Sequence, residues 1–104
     1  MERIGLVAPA SRQGAVHAAE HTAMLLRCRG ITVFAEEELR LENSYPLRDY
    51  TPVDALITIG GEGTLLRGAK MLNHAPVLGI NLGRTGFLTE AEADGLDGAV
   101  AALL

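Results

Sequence analysis

The sequence predicts an α/β domain with an open parallel, Rossmann-like sheet and flanking helices. Three observations carry this reading. Short β-branched apolar runs alternate with alanine- and leucine-rich stretches of helical spacing, the order that a parallel sheet with crossover helices requires. The 104 residues include 48% hydrophobic but only 4% aromatic side chains, no Trp and 12 Gly, which suits an aliphatic core with close turns. One apolar run, Leu56-Ile57-Thr58-Ile59, passes directly into Gly60-Gly61-Glu62-Gly63 and then into a helical pattern. A strand, glycine loop and helix in that order form a junction suited to phosphate.

Each element follows from its residues. Ile4 to Ala8 reads as a buried strand closed by Pro9, and Ser11 to Gly14 as the loop that follows it. Ala15 to Arg29 carries alanines and leucines at helical spacing, and Gly30 ends that helix. The β-branched run Ile31 to Phe34 predicts a second strand. Glu36 to Asn43 is charged and reads as a short helix, whereas Ser44 to Pro52, with two prolines and two tyrosines, reads as loop. Asp54 to Ile59 is the third strand, Thr64 to Leu72 a helix, and Val77 to Ile80 a fourth strand entered through Pro76. Leu96 to Leu104 begins another helix without a stop signal, so the chain is expected to be cut within or just after an element.

Charge and cysteine content narrow the function. A net charge of −4, from 9 basic and 13 acidic residues, argues against a nucleic-acid partner, which draws on a basic surface. The single cysteine, Cys28, excludes an intrachain disulfide framework and fits a reducing cytoplasm. The apolar run after Met1 is too short for a signal peptide, and no segment approaches the ~20 residues of a membrane span.

The glycine loop carries the chemistry. Gly60, Gly61 and Gly63 let backbone N–H groups approach an anion without Cβ interference, and the helix start behind them adds partial positive charge. Glu62 among them repels phosphate unless a cation intervenes or the acid has a task, such as taking a proton from an attacking hydroxyl. The spacing excludes two common types. No Lys follows Gly63 as a P-loop demands, and Leu66 stands where the dinucleotide fingerprint needs its third glycine. The loops after the first, third and fourth strands, Pro9 to Gly14, Gly60 to Thr64 and Asn81 to Gly86, are placed to line one crevice beyond the strands' carboxyl ends.

Gly60-Gly61-Glu62-Gly63-Thr64 resembles the Gly-Gly-Asp-Gly-Thr signature of NAD kinases, 6-phosphofructokinases and diacylglycerol-type lipid kinases, with Glu62 in place of Asp. Asn81-Leu82-Gly83-Arg84-Thr85-Gly86-Phe87-Leu88-Thr89 is similar to the Asn-x-Gly-x-x-Gly-Phe-Leu-Thr segment of bacterial NAD kinases. The resemblance implies residues 1–104 of an N-terminal domain whose β-rich C-terminal partner, bearing an Asn-Glu motif, is absent. It implies phosphorylation of the adenosine ribose 2′-hydroxyl of NAD to give NADP, with ATP or inorganic polyphosphate as donor, Mg²⁺ on the donor phosphates, and a homo-oligomer in the full-length protein. By the same resemblance Glu62 is the general base, and Gly60, Gly61 and Gly63 hold the donor phosphates. Thr64 adds a hydroxyl there or caps the helix, and Arg67 neutralises phosphate or is solvated. Asn81 shapes the loop near the nucleotide. Phe87 meets the adenine region or anchors the core, and Leu66 and Leu88 wall the NAD pocket or belong to the core.

Two other readings stay open: a lipid or sugar-phosphate kinase domain, and a non-catalytic nucleotide-binding or assembly module. Elsewhere, His17 and His21 share a helix face but lack an evident third metal ligand. Cys28 reads as a buried small hydrophobe, and Glu36-Glu37-Glu38 as a solvated face.

Overall fold

A computed structural model describes residues 2–71 and 75–82, together with positions 98, 101 and 102, which are helical. The strands are β1 (Arg3–Val7), β2 (Thr32–Ala35), β3 (Tyr45–Pro46), β4 (Ala55–Gly60) and β5 (Val77–Asn81). The helices are α1 (Gln13–Cys28) and α2 (Glu62–Met71), with a 3₁₀ turn at Glu37–Leu39. All pairings are parallel, in the order β3-β2-β1-β4-β5. The predicted parallel α/β sheet is thus present, with a fifth strand at Tyr45–Pro46 where the sequence predicts loop. That strand is a two-residue edge. Its Pro46 has no N–H to donate, a loss that only an edge tolerates. It is held by the pairing of Phe34 with Tyr45, whose rings lie 5.7 Å apart, and by the Leu47 N–H donating to the Ala35 carbonyl at 2.9 Å.

β4 is buried along its whole length, which is why its sequence is a continuous apolar run rather than an alternation. Alternate residues feed two cores. One gathers Ile4, Leu6, Val33, Ile57 and Ile59 under the alanines of α1, and the other gathers Val7, Leu47, Val53 and Leu56 with Met71 of α2 packed against it. α1 approaches closely because its buried stripe is mostly Ala15, Ala18, Ala19 and Ala23. It starts two residues earlier than predicted, because the Arg12 carbonyl already accepts from the Ala15 and Val16 amides. It ends as predicted at Gly30. With φ at +75°, Gly30 donates to the Arg27 carbonyl at 3.0 Å, and Ile31 donates to Leu26 at 3.1 Å, while Leu26 and Ile31 share the core.

On the other face, α2 lies in contact with the sheet at Gly68. A Cβ there would stand 2.4 Å from Thr58 Cγ2. At the opposite end of the strands, Asp54 clasps the start of β1, its Oδ2 accepting from the Glu2 and Arg3 amides at 2.6 and 2.9 Å. The helix predicted from Leu96 lies largely outside the described residues.

Candidate functional site

β1 leads one way across the sheet to β2 and β4 the other way to β5, so the strand order switches direction between β1 and β4. Ligands in open α/β sheets bind beyond the strand ends at such a point. There Gly60 is required by the backbone itself. Its φ is +152°, and a Cβ would meet Thr64 Oγ1 at 2.7 Å and Pro9 Cδ at 3.2 Å. The loop after β1 and the glycine loop therefore touch.

Gly61 and Gly63 differ in kind. A Cβ at either would meet no described residue within 4 Å. Among the described residues there is no steric reason for glycine at either position, and both leave the backbone open to close approach. The Gly61 carbonyl accepts the first α2 bond, from Leu65 at 3.2 Å, so Gly61 stands at the cap position and α2 begins at Glu62, not Thr64. Gly61 has no side chain to cap with, so no side-chain cap from that position meets the first-turn amides. Thr64, half-buried inside the first turn with its hydroxyl against Gly60, is not the cap.

Glu62 holds the first helical position, where the dipole favours a negative charge. Its neighbours bring the two motif segments together. Gly60 pairs in register with Asn81, and the Leu82 amide donates to the Gly60 carbonyl at 3.0 Å. Gly60, Gly61, Glu62, Leu65, Gly79 and Asn81 line a depression of about 120 Å³. That is well below the ~300–1,000 Å³ of ordinary small-molecule pockets, so the described residues by themselves do not enclose a small molecule. Leu65 and Gly79 were not foreseen. Their signal was spacing: Leu65 lies one turn past Gly61, and Gly79 two before Asn81.

Leu66 is exposed on α2, and Arg67 lies beside it. The Arg67 guanidinium pairs with the Glu36 carboxylate and Arg48 with Glu37; Glu37 and Glu38 are exposed, as a solvated face requires, and Glu36 alone departs from it, its side chain mostly buried. Cys28 is exposed rather than buried, because it falls in the last turn of α1, off the alanine stripe. Among the described residues no three His, Cys, Asp or Glu groups converge, so His17 and His21 gain no third ligand. Phe87 and Leu88 lie outside the described residues.

Residues 49–104, just over half of the chain, match the family model of the ATP-NAD kinase N-terminal domain. The chain belongs to the NAD kinase family. A NAD kinase of Gemmatimonas aurantiaca is 49% identical over 73 residues, covering 66% of this chain and 25% of that protein. A NAD kinase of Methanothermobacter thermautotrophicus is 37% identical over 113 residues, covering 100% of this chain and 39% of its own length. The chain thus spans a quarter to two fifths of these relatives. Among solved structures, yeast NADH kinase complexed with NADH superposes with a TM-score of 0.69 at 20% identity, over 80% of this chain and 32% of that one. That likeness shows the fold. Membership of the NAD kinase family favours the first of the three readings above over a lipid or sugar-phosphate kinase.

Proposed function

We propose that this domain supplies the donor-phosphate wall and the general base of a NAD kinase. In this reading the adenosine ribose 2′-hydroxyl of NAD attacks the terminal phosphorus of ATP or inorganic polyphosphate. The bond from that phosphorus to the bridging oxygen breaks, and NADP leaves with ADP or the shortened polyphosphate. The observation that carries it is Glu62 at the head of α2, between glycines whose Cβ positions face open space. The carboxylate takes the proton from the attacking hydroxyl. The amides of Gly61, Glu62 and Gly63 and the positive end of α2 draw the transferring phosphoryl oxygens. Asn81, beside Gly60, shapes the floor on which the acceptor ribose rests.

Mg²⁺ fits as a companion of the donor. Among the described residues no cage of ligating side chains exists, and Mg²⁺ is ordinarily held by one or two carboxylates together with substrate phosphates. In this reading the ion would be held by the donor phosphates and would offset their repulsion with Glu62, leaving that carboxylate free to accept a proton. The reducing cytoplasm is the compartment this reading assigns, consistent with one exposed cysteine. No helix among the described residues is long and apolar enough to cross a membrane.

The 104-residue chain by itself is expected to form no NADP above a no-enzyme control, because its described site is a single wall. It should still bind MgATP weakly, with a millimolar Kd at best, since one wall must offset the full cost of association. In an NMR titration, amide shifts should concentrate at Gly60 to Arg67 and at Asn81. Shifts spread elsewhere would reject the site, and NADP formation would reject the single-wall reading.

A further inference from the structure

We propose that Glu36 withholds Arg67 from the glycine loop and so limits the loop's affinity for a phosphoryl donor. The inference rests on the donor-phosphate reading above and deepens it. Arg67 follows Gly63 by four residues, so both lie on one helix face, and helical side chains lean back toward the N-terminus over the preceding turn. The natural course of the Arg67 side chain therefore runs over Gly63, where there is no side chain and a Cβ would face open space. Gly63, Arg67 and Lys70 line one depression of about 490 Å³ with Asp49. A guanidinium lying there would stand beside the open amides at the head of α2.

Instead it is captured. Glu36 directly follows β2, at the carboxyl ends of the strands, and its carboxylate accepts from Arg67 across 31 residues of sequence. The Glu36 side chain is 14% exposed, against 57% for Glu37 in the neighbouring pair with Arg48. A poorly hydrated carboxylate suffers more from losing its cation than an exposed one does, so this pair holds against a competing phosphate where the Glu37 pair would not. Glu36 is in this sense a positioning residue acting through Arg67.

The test compares the 104-residue chain with Glu36→Gln, Arg67→Met and the double variant, each titrated with MgATP while the Gly60 to Thr64 amides are followed. Glu36→Gln should tighten binding about three- to tenfold by freeing one charge-assisted donor. The gain should disappear in the double variant, which strands neither charge, and shrink at about 0.5 M salt. Arg67→Met alone strands the Glu36 carboxylate and frees no donor, so it should bind no more tightly than the parent. A Glu36→Gln chain that binds no more tightly, or a gain that persists without Arg67, overturns the role of Glu36 and leaves the loop reading standing. Absence of loop shifts in all four chains removes the loop reading and this inference with it.

Discussion

Glu62 is where sequence and family pattern diverge, and its backbone position is unambiguous: first residue of α2, between two glycines. A side chain one methylene longer than Asp must fold back or shift the acceptor, and about 1 Å of misplacement costs about a hundredfold in rate. In a protein carrying this domain with the remaining length of its relatives, Glu62→Gln should lower kcat by about 10²–10⁴ with the fold intact. Glu62→Asp should keep or raise activity. A Gln variant within about threefold of the parent would leave Glu62 with only a dipole role, on the order of 0.3–1 kcal/mol. The glycines separate ligand from fold in the same way. Gly63→Ala meets no atom of the described residues and needs no unusual φ, so it should raise stability by about 0.4–1 kcal/mol while weakening donor binding. Unchanged donor affinity in that variant would mean that the bare amides do not face the phosphate. Gly60→Ala cannot make this distinction, since φ +152° and Thr64 Oγ1 at 2.7 Å make it a folding variant.

At the scale of elements, α2 is aimed by a glycine that the sequence does not flag as structural. Gly68 reads as one more residue of a helical pattern, yet it sets how closely α2 lies on β4 and hence where the open amides point. Gly68→Ala forces a Cβ to 2.4 Å from Thr58 Cγ2 and 3.2 Å from Leu56 Cδ2. Overpacking of about 1–3 kcal/mol should outweigh the roughly 1 kcal/mol gained in helix propensity, lowering Tm by several degrees. Thr58→Ser removes Cγ2, so the double variant should recover much of the loss in a thermal melt. Additive losses would instead place the strain elsewhere. Strands and helices were legible because apolar runs and alanine-rich runs alternate, and Gly30 was legible as a stop because glycine takes a φ of +75° at no steric cost. β3 was not, since Tyr45 and Pro46 follow no alternation and pair only through an edge. The Glu36 to Arg67 pair was hidden for a different reason. It joins the end of β2 to α2, and no local pattern in the acidic run reports a partner 31 residues away.

Across the whole molecule, the carboxyl ends of the strands carry the loops that define the site, while the amino ends are tied by a charge. Asp54 accepts from two consecutive amides at the start of β1, and the Asp54 amide donates to the Arg3 carbonyl at 2.8 Å, which fixes β1 against β4 at the head of their shared register. The hydrogen bond from Glu2, then that from Arg3, holds the Asp54 carboxyl below its ordinary value of 3.8. The sign follows from linkage. A folded-state value below the unfolded one means that the carboxylate form stabilises the fold, that this contribution is complete above the ordinary carboxylate range, and that it is lost as pH falls through the depressed value. Asp54→Asn keeps the size but removes the charge, so it should be less stable than the parent at pH 7, and the gap should close as pH drops below about 4. Because β1 and β4 flank the switch point where Pro9 meets Gly60, loosening their far end should also reach the site as faster amide exchange along β1. Urea midpoints of both proteins from pH 7 to pH 3 measure the gap directly. A gap that stays constant over that range would show that Asp54 acts through its shape and not its charge.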